Sequence, residues 1–114
     1  MKNTHSHQFD RNDRLISLFR ELAASFIRNE ANVPPLITVT GATVSSDFGH
    51  VTIFVTVYPE SEEEHALNFL KRKGSEFRGY VKQNGNLKVI PFFAFEIDFG
   101  EKHRQHIEGI DLTQ

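Results

Sequence analysis

The chain has 114 residues, of which 39% are hydrophobic and 25% charged, with a formal net charge of −2; that length fits one compact domain around one core. It has no cysteine, which excludes disulfides, thiolate metal sites and a cysteine nucleophile and fits a reducing cytosol. No apolar run approaches the roughly 20 residues of a membrane span, and the opening MKNTHSHQFDRND has no apolar signal core.

From Asp13 to Asn29 the apolar residues Leu15, Leu18, Phe19, Leu22, Ala23, Phe26 and Ile27 recur in steps of three and four, which predicts an amphipathic helix. Asp10 or Asn12 is placed to cap it, and Val33-Pro34-Pro35 forbids its continuation. Leu36–Ser45 is rich in β-branched residues, and Ser46-Asp47-Phe48-Gly49 is turn chemistry. His50–Tyr58 alternates cleanly: Val51, Ile53, Val55 and Val57 on one face, His50, Thr52, Phe54, Thr56 and Tyr58 on the other. The two segments predict an antiparallel hairpin. Ser61 and Glu64 read as a capping box opening a second helix, whose apolar spacing passes through Gly74 to Phe77, Tyr80 and Val81. Asn84-Gly85-Asn86 is a helix stop. Leu87–Phe99 reads as a third strand with Phe93, Phe95, Ile97 and Phe99 on one face. Pro91 marks it as an edge strand or a bulge. The tail from Gly100 shows little periodicity. The expectation is a single α+β domain spanning 1–114 in two layers, a three-stranded sheet with helices on one face, with 1–9 and 100–114 flexible.

Charge is laid out unevenly. Residues 31–70 carry five acids and no Lys or Arg, whereas residues 71–88 carry six cations, Lys71, Arg72, Lys73, Arg78, Lys82 and Lys88, against Glu76. A polyanion would feel that segment as a local attractive field. Arginines fork onto phosphates and lysines act as point charges, so RNA backbone suits the set; the plainer reading is a solvated helix face. Gly74 either ends a helix or sets a bend that lets backbone approach a phosphate. Arg11 and Arg14 read first as solvated helix surface. Phe54, Tyr58 and Phe92 are possible base-stacking groups, although cover by a loop or the tail is the expected state. His103-x-x-His106 is interleaved with Lys and Arg and lacks the remaining ligands of a tetrahedral set, and no catalytic triad or phosphate loop is evident.

Together these strings resemble a known family. The order helix, strand, strand, helix, bend, helix, strand resembles a bacterial K-homology domain of type II. LITVTGATVSSDFGHVTIFVTVY is similar to the hairpin of the ribosome-binding factor A family, and EFRGYVKQN followed by LKVIPFFAFEID to its last helix and strand, with Lys88, Pro91 and Asp98 in the basic, proline and acidic positions. The match runs from about Arg11 to Leu112. Two departures stand out: the family's Ala-x-Gly bend is here Lys73-Gly74-Ser75, and this chain is less basic than many members. The resemblance implies a cytoplasmic, monomeric, non-catalytic factor without cofactor, metal or small-molecule substrate. Such a factor binds the immature small ribosomal subunit and its ribosomal RNA near the 5′ end and promotes late maturation, especially in the cold. Its RNA contacts would be Lys71, Arg72, Lys73, Gly74, Ser75, Arg78, Lys82 and Lys88. The rival reading is a ribosome-associated protein-interaction domain without direct RNA contact.

Overall fold

The computed structural model describes residues 2–30 and 35–113, with side chains described for 12–30 and 35–107. The elements are α1 (Lys2–Glu30), β1 (Leu36–Val44), β2 (His50–Tyr58), a 3-10 turn (Glu60–Glu62), α2 (Glu63–Arg72), α3 (Gly74–Asn84), β3 (Phe92–Ile97) and α4 (Phe99–Thr113). The architecture is α+β. The sheet order is β1-β2-β3; β1 pairs antiparallel with β2, as a short turn requires, and β3 pairs parallel with β2 after the crossover through α2 and α3.

The valine-isoleucine face of β2 builds the core. Val51, Ile53, Val55 and Val57 are buried with Phe19, Leu22, Ala23, Phe26 and Ile27 of α1, Ala66 and Leu70 of α2, and Phe77 and Val81 of α3. Phe77 sits among Phe26, Phe93 and Phe95 at centroid distances of 5.3, 4.8 and 5.6 Å. The phenylalanine-rich composition thus seals helices to sheet in edge-on and tilted ring pairs. In β1 the core-facing residues are Ile37 and Val39, then Ala42 and Val44. That spacing slips by one, and a bulge between Val39 and Gly41 absorbs the slip. The extra residue, Thr40, donates its hydroxyl to Asp98 Oδ2 at 2.5 Å, with the Phe54 carbonyl as a second acceptor at 3.3 Å.

Several boundaries differ from the sequence expectation. α1 begins at Lys2, eleven residues early, because the polar stretch before Asp13 holds no glycine or proline to stop a helix. Asn12 therefore lies inside the helix; the side chains of Asp10 and Arg11 lie outside the described residues, as does Val33-Pro34. Ser61 does not cap α2. It falls inside the 3-10 turn that follows Pro59, and α2 starts two residues later with Glu62 before it and no side-chain cap bond. β3 is only six residues long, since Leu87–Pro91 forms a loop, and Phe99 is exposed at the start of α4 instead of facing the core. The C-terminal segment is helical. Asp98 caps it by accepting from the Glu101 N–H at 3.0 Å. Lys102 ties it to Glu63 and Glu60 at 2.9 and 3.4 Å. The stop at Asn84-Gly85-Asn86 holds, but the left-handed residue is Asn86, with φ 56°. Gly85 is needed for closeness: a Cβ there would lie 2.8 Å from the Val81 carbonyl oxygen.

Candidate nucleic-acid interface

The basic segment folds into an elbow. α2 ends at Arg72 and α3 starts at Gly74, with Lys73 between them at φ −90° and ψ 6°. The bend is therefore carried by Lys73 in the sparsely populated bridge region. Gly74 has no positive φ, and a Cβ added to it would meet nothing within 4 Å. The apolar faces of the two helices, Ala66 and Leu70 then Phe77 and Val81, turn into the core and force their polar residues outward.

The eight candidate residues do not share one fate. Lys71, Arg72, Lys82 and Lys88 are exposed, and among the described residues none has an ion-pair partner. Lys71 and Arg72 sit in the last turn of α2 and Lys82 in the last turn of α3, where the helix dipole favours cations. Ser75 is exposed and Gly74 half-buried at the elbow. Lys73 is engaged: its Nζ lies 3.3 Å from both Glu30 at the end of α1 and Glu76 in α3. Those two carboxylates hold its pKa above the usual lysine value. Arg78 is engaged as well. Its Nε and Nη2 donate to the carbonyls of Pro91 and Ile90 at 3.1 and 2.7 Å, and its guanidinium lies 4.7 Å from the Phe92 ring centre. It clamps α3 to the loop that leads into β3.

Of the secondary candidates, Arg14 is exposed. The aromatics of the open sheet face are less covered than expected: Phe54 is half-buried, but Tyr58 is 75% and Phe92 61% exposed. α4 only overhangs the far end of that face, where Leu36, Thr38, Thr56 and Tyr58 share an open hollow with Lys102, Gln105 and His106. His103 and His106 are exposed, and among the described residues no three His, Asp or Glu gather as metal ligands. Among the described residues no helix is long and apolar enough to cross a membrane.

Two features escaped the sequence reading. One is the Thr40–Asp98 clasp across the sheet; the out-of-phase core residues of β1 were its signal. Asp98 has its pKa lowered by the Thr40 hydroxyl and by the Glu101 N–H. The other is Phe48, which stands exposed at φ 60° on the hairpin turn. The turn around it is closed by Asp47, whose Oδ1 accepts from the Ser45 hydroxyl at 2.6 Å and the Gly49 N–H at 2.9 Å. These bonds lower the Asp47 pKa.

This is a K-homology-like α+β domain carrying a basic elbow between its second and third helices. The family profile described as ribosome-binding factor A matches residues 11–110, and the chain belongs to that family. It is a family of binding factors, not of enzymes. A ribosome-binding factor A from Alteromonas mediterranea is 32% identical over 116 residues, covering 95% of this chain and 82% of that protein. One from Moorella thermoacetica is 29% identical over 105 residues, covering 88% and 86%. The crystal structure of ribosome-binding factor A from Thermus thermophilus superposes with a TM-score of 0.68 at 22% identity, covering 75% of this chain and 94% of that one. Coordinates of the Thermus thermophilus factor fitted into a cryo-EM map of a 30S–RbfA complex superpose with a TM-score of 0.62 at 20% identity, covering 71% and 88%.

Proposed function

We propose that this protein is a cytoplasmic assembly factor that binds the immature small ribosomal subunit and its ribosomal RNA and promotes late maturation of that RNA near its 5′ end. It acts as a single monomeric domain. The observation that carries the reading is the set of four exposed cations, Lys71, Arg72, Lys82 and Lys88, on the elbow and the loop after it, without ion-pair partners among the described residues, in a chain of the ribosome-binding factor A family. A related Thermus factor has been fitted into a 30S complex, which supports the choice of partner. Cations of this kind neutralise phosphates and release counterions, so affinity is sequence-tolerant and falls steeply with salt. Folded ribosomal RNA is read largely by shape and backbone, and a patch without base readout is adequate for it. Gly74 and Ser75 bring the chain close to the RNA at the bend. Lys73 serves mainly to hold that bend against α1, and Arg78 to hold α3 to the loop before β3.

The test is co-sedimentation with free small subunits. Replacing Lys71, Arg72 and Lys82 together with glutamate should abolish binding while leaving the melting temperature within a few degrees of wild type, because all three are exposed. A folded triple variant that still sediments normally with free subunits would refute the assignment. Wild-type binding that persists unchanged into moderate salt would point to a protein-only contact.

A further inference from the structure

An open hollow of about 240 Å³ lies between the middle of α1, the hairpin turn and the loop before β3. Leu15, Phe19 and Val44 line it together with Phe48, Val89 and Lys88. Phe48 and Val89 are 47% and 77% exposed, so this apolar surface is open to solvent. Phe48 is also held at φ 60°, a left-handed conformation that bulky residues rarely adopt. The turn fixes it there: the Phe48 N–H donates to the Ser45 carbonyl at 2.9 Å, and the His50 N–H donates to the Ser45 hydroxyl at 3.0 Å. Strain of this kind persists only where surrounding bonds over-determine it, and it clusters at ligand clamps.

We infer that this hollow takes one unstacked nucleobase of a single-stranded RNA segment, with Phe48 as the stacking platform and Lys88 on the adjoining phosphate. Charge decides between occupants. Lys88 is the one charged side chain lining the hollow among the described residues, it has no ion-pair partner there, and it is the last cation of the basic segment. The nearest acid along the turn, Asp47, is tied into the turn through its Oδ1 by Ser45 and Gly49 and is not among the residues lining the hollow. An apolar floor, a rigid aromatic wall and a cation at the rim are the parts of a base-stacking pocket. The inference rests on the RNA-binding reading above and adds a second, base-contacting site to it.

Two variants of the full chain test it. Phe48→Asn removes the ring and suits a left-handed backbone, so its melting temperature should be unchanged or higher. Its affinity for free small subunits should fall about tenfold, with an unchanged salt slope. Phe48→Trp introduces the only tryptophan of the chain, and protein-free small-subunit ribosomal RNA should quench its fluorescence. Wild-type affinity in Phe48→Asn would overturn the inference. So would lost subunit binding in Phe48→Asn without quenching of Phe48→Trp by protein-free RNA, since a protein side chain would then fill the hollow. If the triple glutamate variant loses binding while Phe48→Asn binds as wild type, the elbow reading stands and this one falls. If the triple variant binds normally while both Phe48 effects appear, the hollow stands without the elbow.

Discussion

The basic segment has an outer rim and an inner seam, and they put the same kind of charge to opposite uses. On the rim, Lys71, Arg72, Lys82 and Lys88 point into solvent without ion-pair partners among the described residues. On the seam, Lys73 joins the end of α1 to α3 through Glu30 and Glu76, and Arg78 binds the carbonyls that lead into β3. A seam cation has exchanged water for fixed acceptors and so contributes to the fold. A rim cation keeps its hydration and counterions, which is what an RNA backbone displaces. Formal charge in a sequence therefore overstates the charge on offer to a partner.

The deepest break of this division would be a β2 strand turned inside out, since the elbow packs on its valine face. Val55 is 0% exposed. Val55→Asp buries a carboxylate with no partner, at a cost of about 4 kcal/mol or more, which rivals the whole stability of a small domain. The variant should be unfolded or insoluble. A soluble protein with a near-native melt would mean that rim and seam have exchanged sides.

Next in size is the seam itself. Arg78→Ala removes two charge-assisted hydrogen bonds and the contact with Phe92, and should cost about 2–3 kcal/mol. Arg72→Ala on the rim should change stability by less than about 0.5 kcal/mol. Thermal melts of the two variants side by side check the contrast; equal melting temperatures would erase it.

A smaller effect, of opposite charge, comes from Asp98. Its carboxylate is held by Thr40 and the Glu101 N–H, and its folded pKa lies below the ordinary value of 3.8. A depressed carboxylate contributes stability that is fully present above the unfolded value and is lost as pH falls through the folded one. Asp98→Asn should therefore cost about 1 kcal/mol at neutral pH, and its deficit should shrink below about pH 4. Melts between pH 7 and pH 3 read this directly. A deficit that stays constant with pH would show that the clasp does not depend on charge.

Much of this was legible from local pattern. The alternation in β2 and the three-four spacing in α1 each name the buried face, because burial on one side leaves a periodic trace. The prolines, glycines and turn residues between the periodic segments marked the element order, and that order in turn supported the family resemblance. What was not legible depends on distance in the chain or on competition between neighbours. Ser61-x-x-Glu64 has the letters of a capping box, yet Pro59 starts a 3-10 turn that takes Ser61 out of the cap position. Asp98-x-x-Glu101 has a similar pattern and does cap, but it straddled the end of a segment read as strand and the start of one read as an aperiodic tail. The strand reading of Leu87–Pro91 failed because Arg78, twelve residues upstream of Ile90, takes the loop carbonyls. Likewise, Lys73 looks as free as Lys71 until α1 brings Glu30 alongside. No spacing rule reports such contacts.

The division between rim and seam is tested most directly by the salt dependence of affinity for free small subunits. For phosphate contacts, the slope of log affinity against log salt should flatten by about 0.7–0.9 for each rim cation replaced with glutamine. Lys71→Gln, Arg72→Gln and Lys82→Gln should each show that change, and Lys73→Gln should leave the slope at the wild-type value. An equal flattening for Lys73, or none for the three rim residues, would contradict the account.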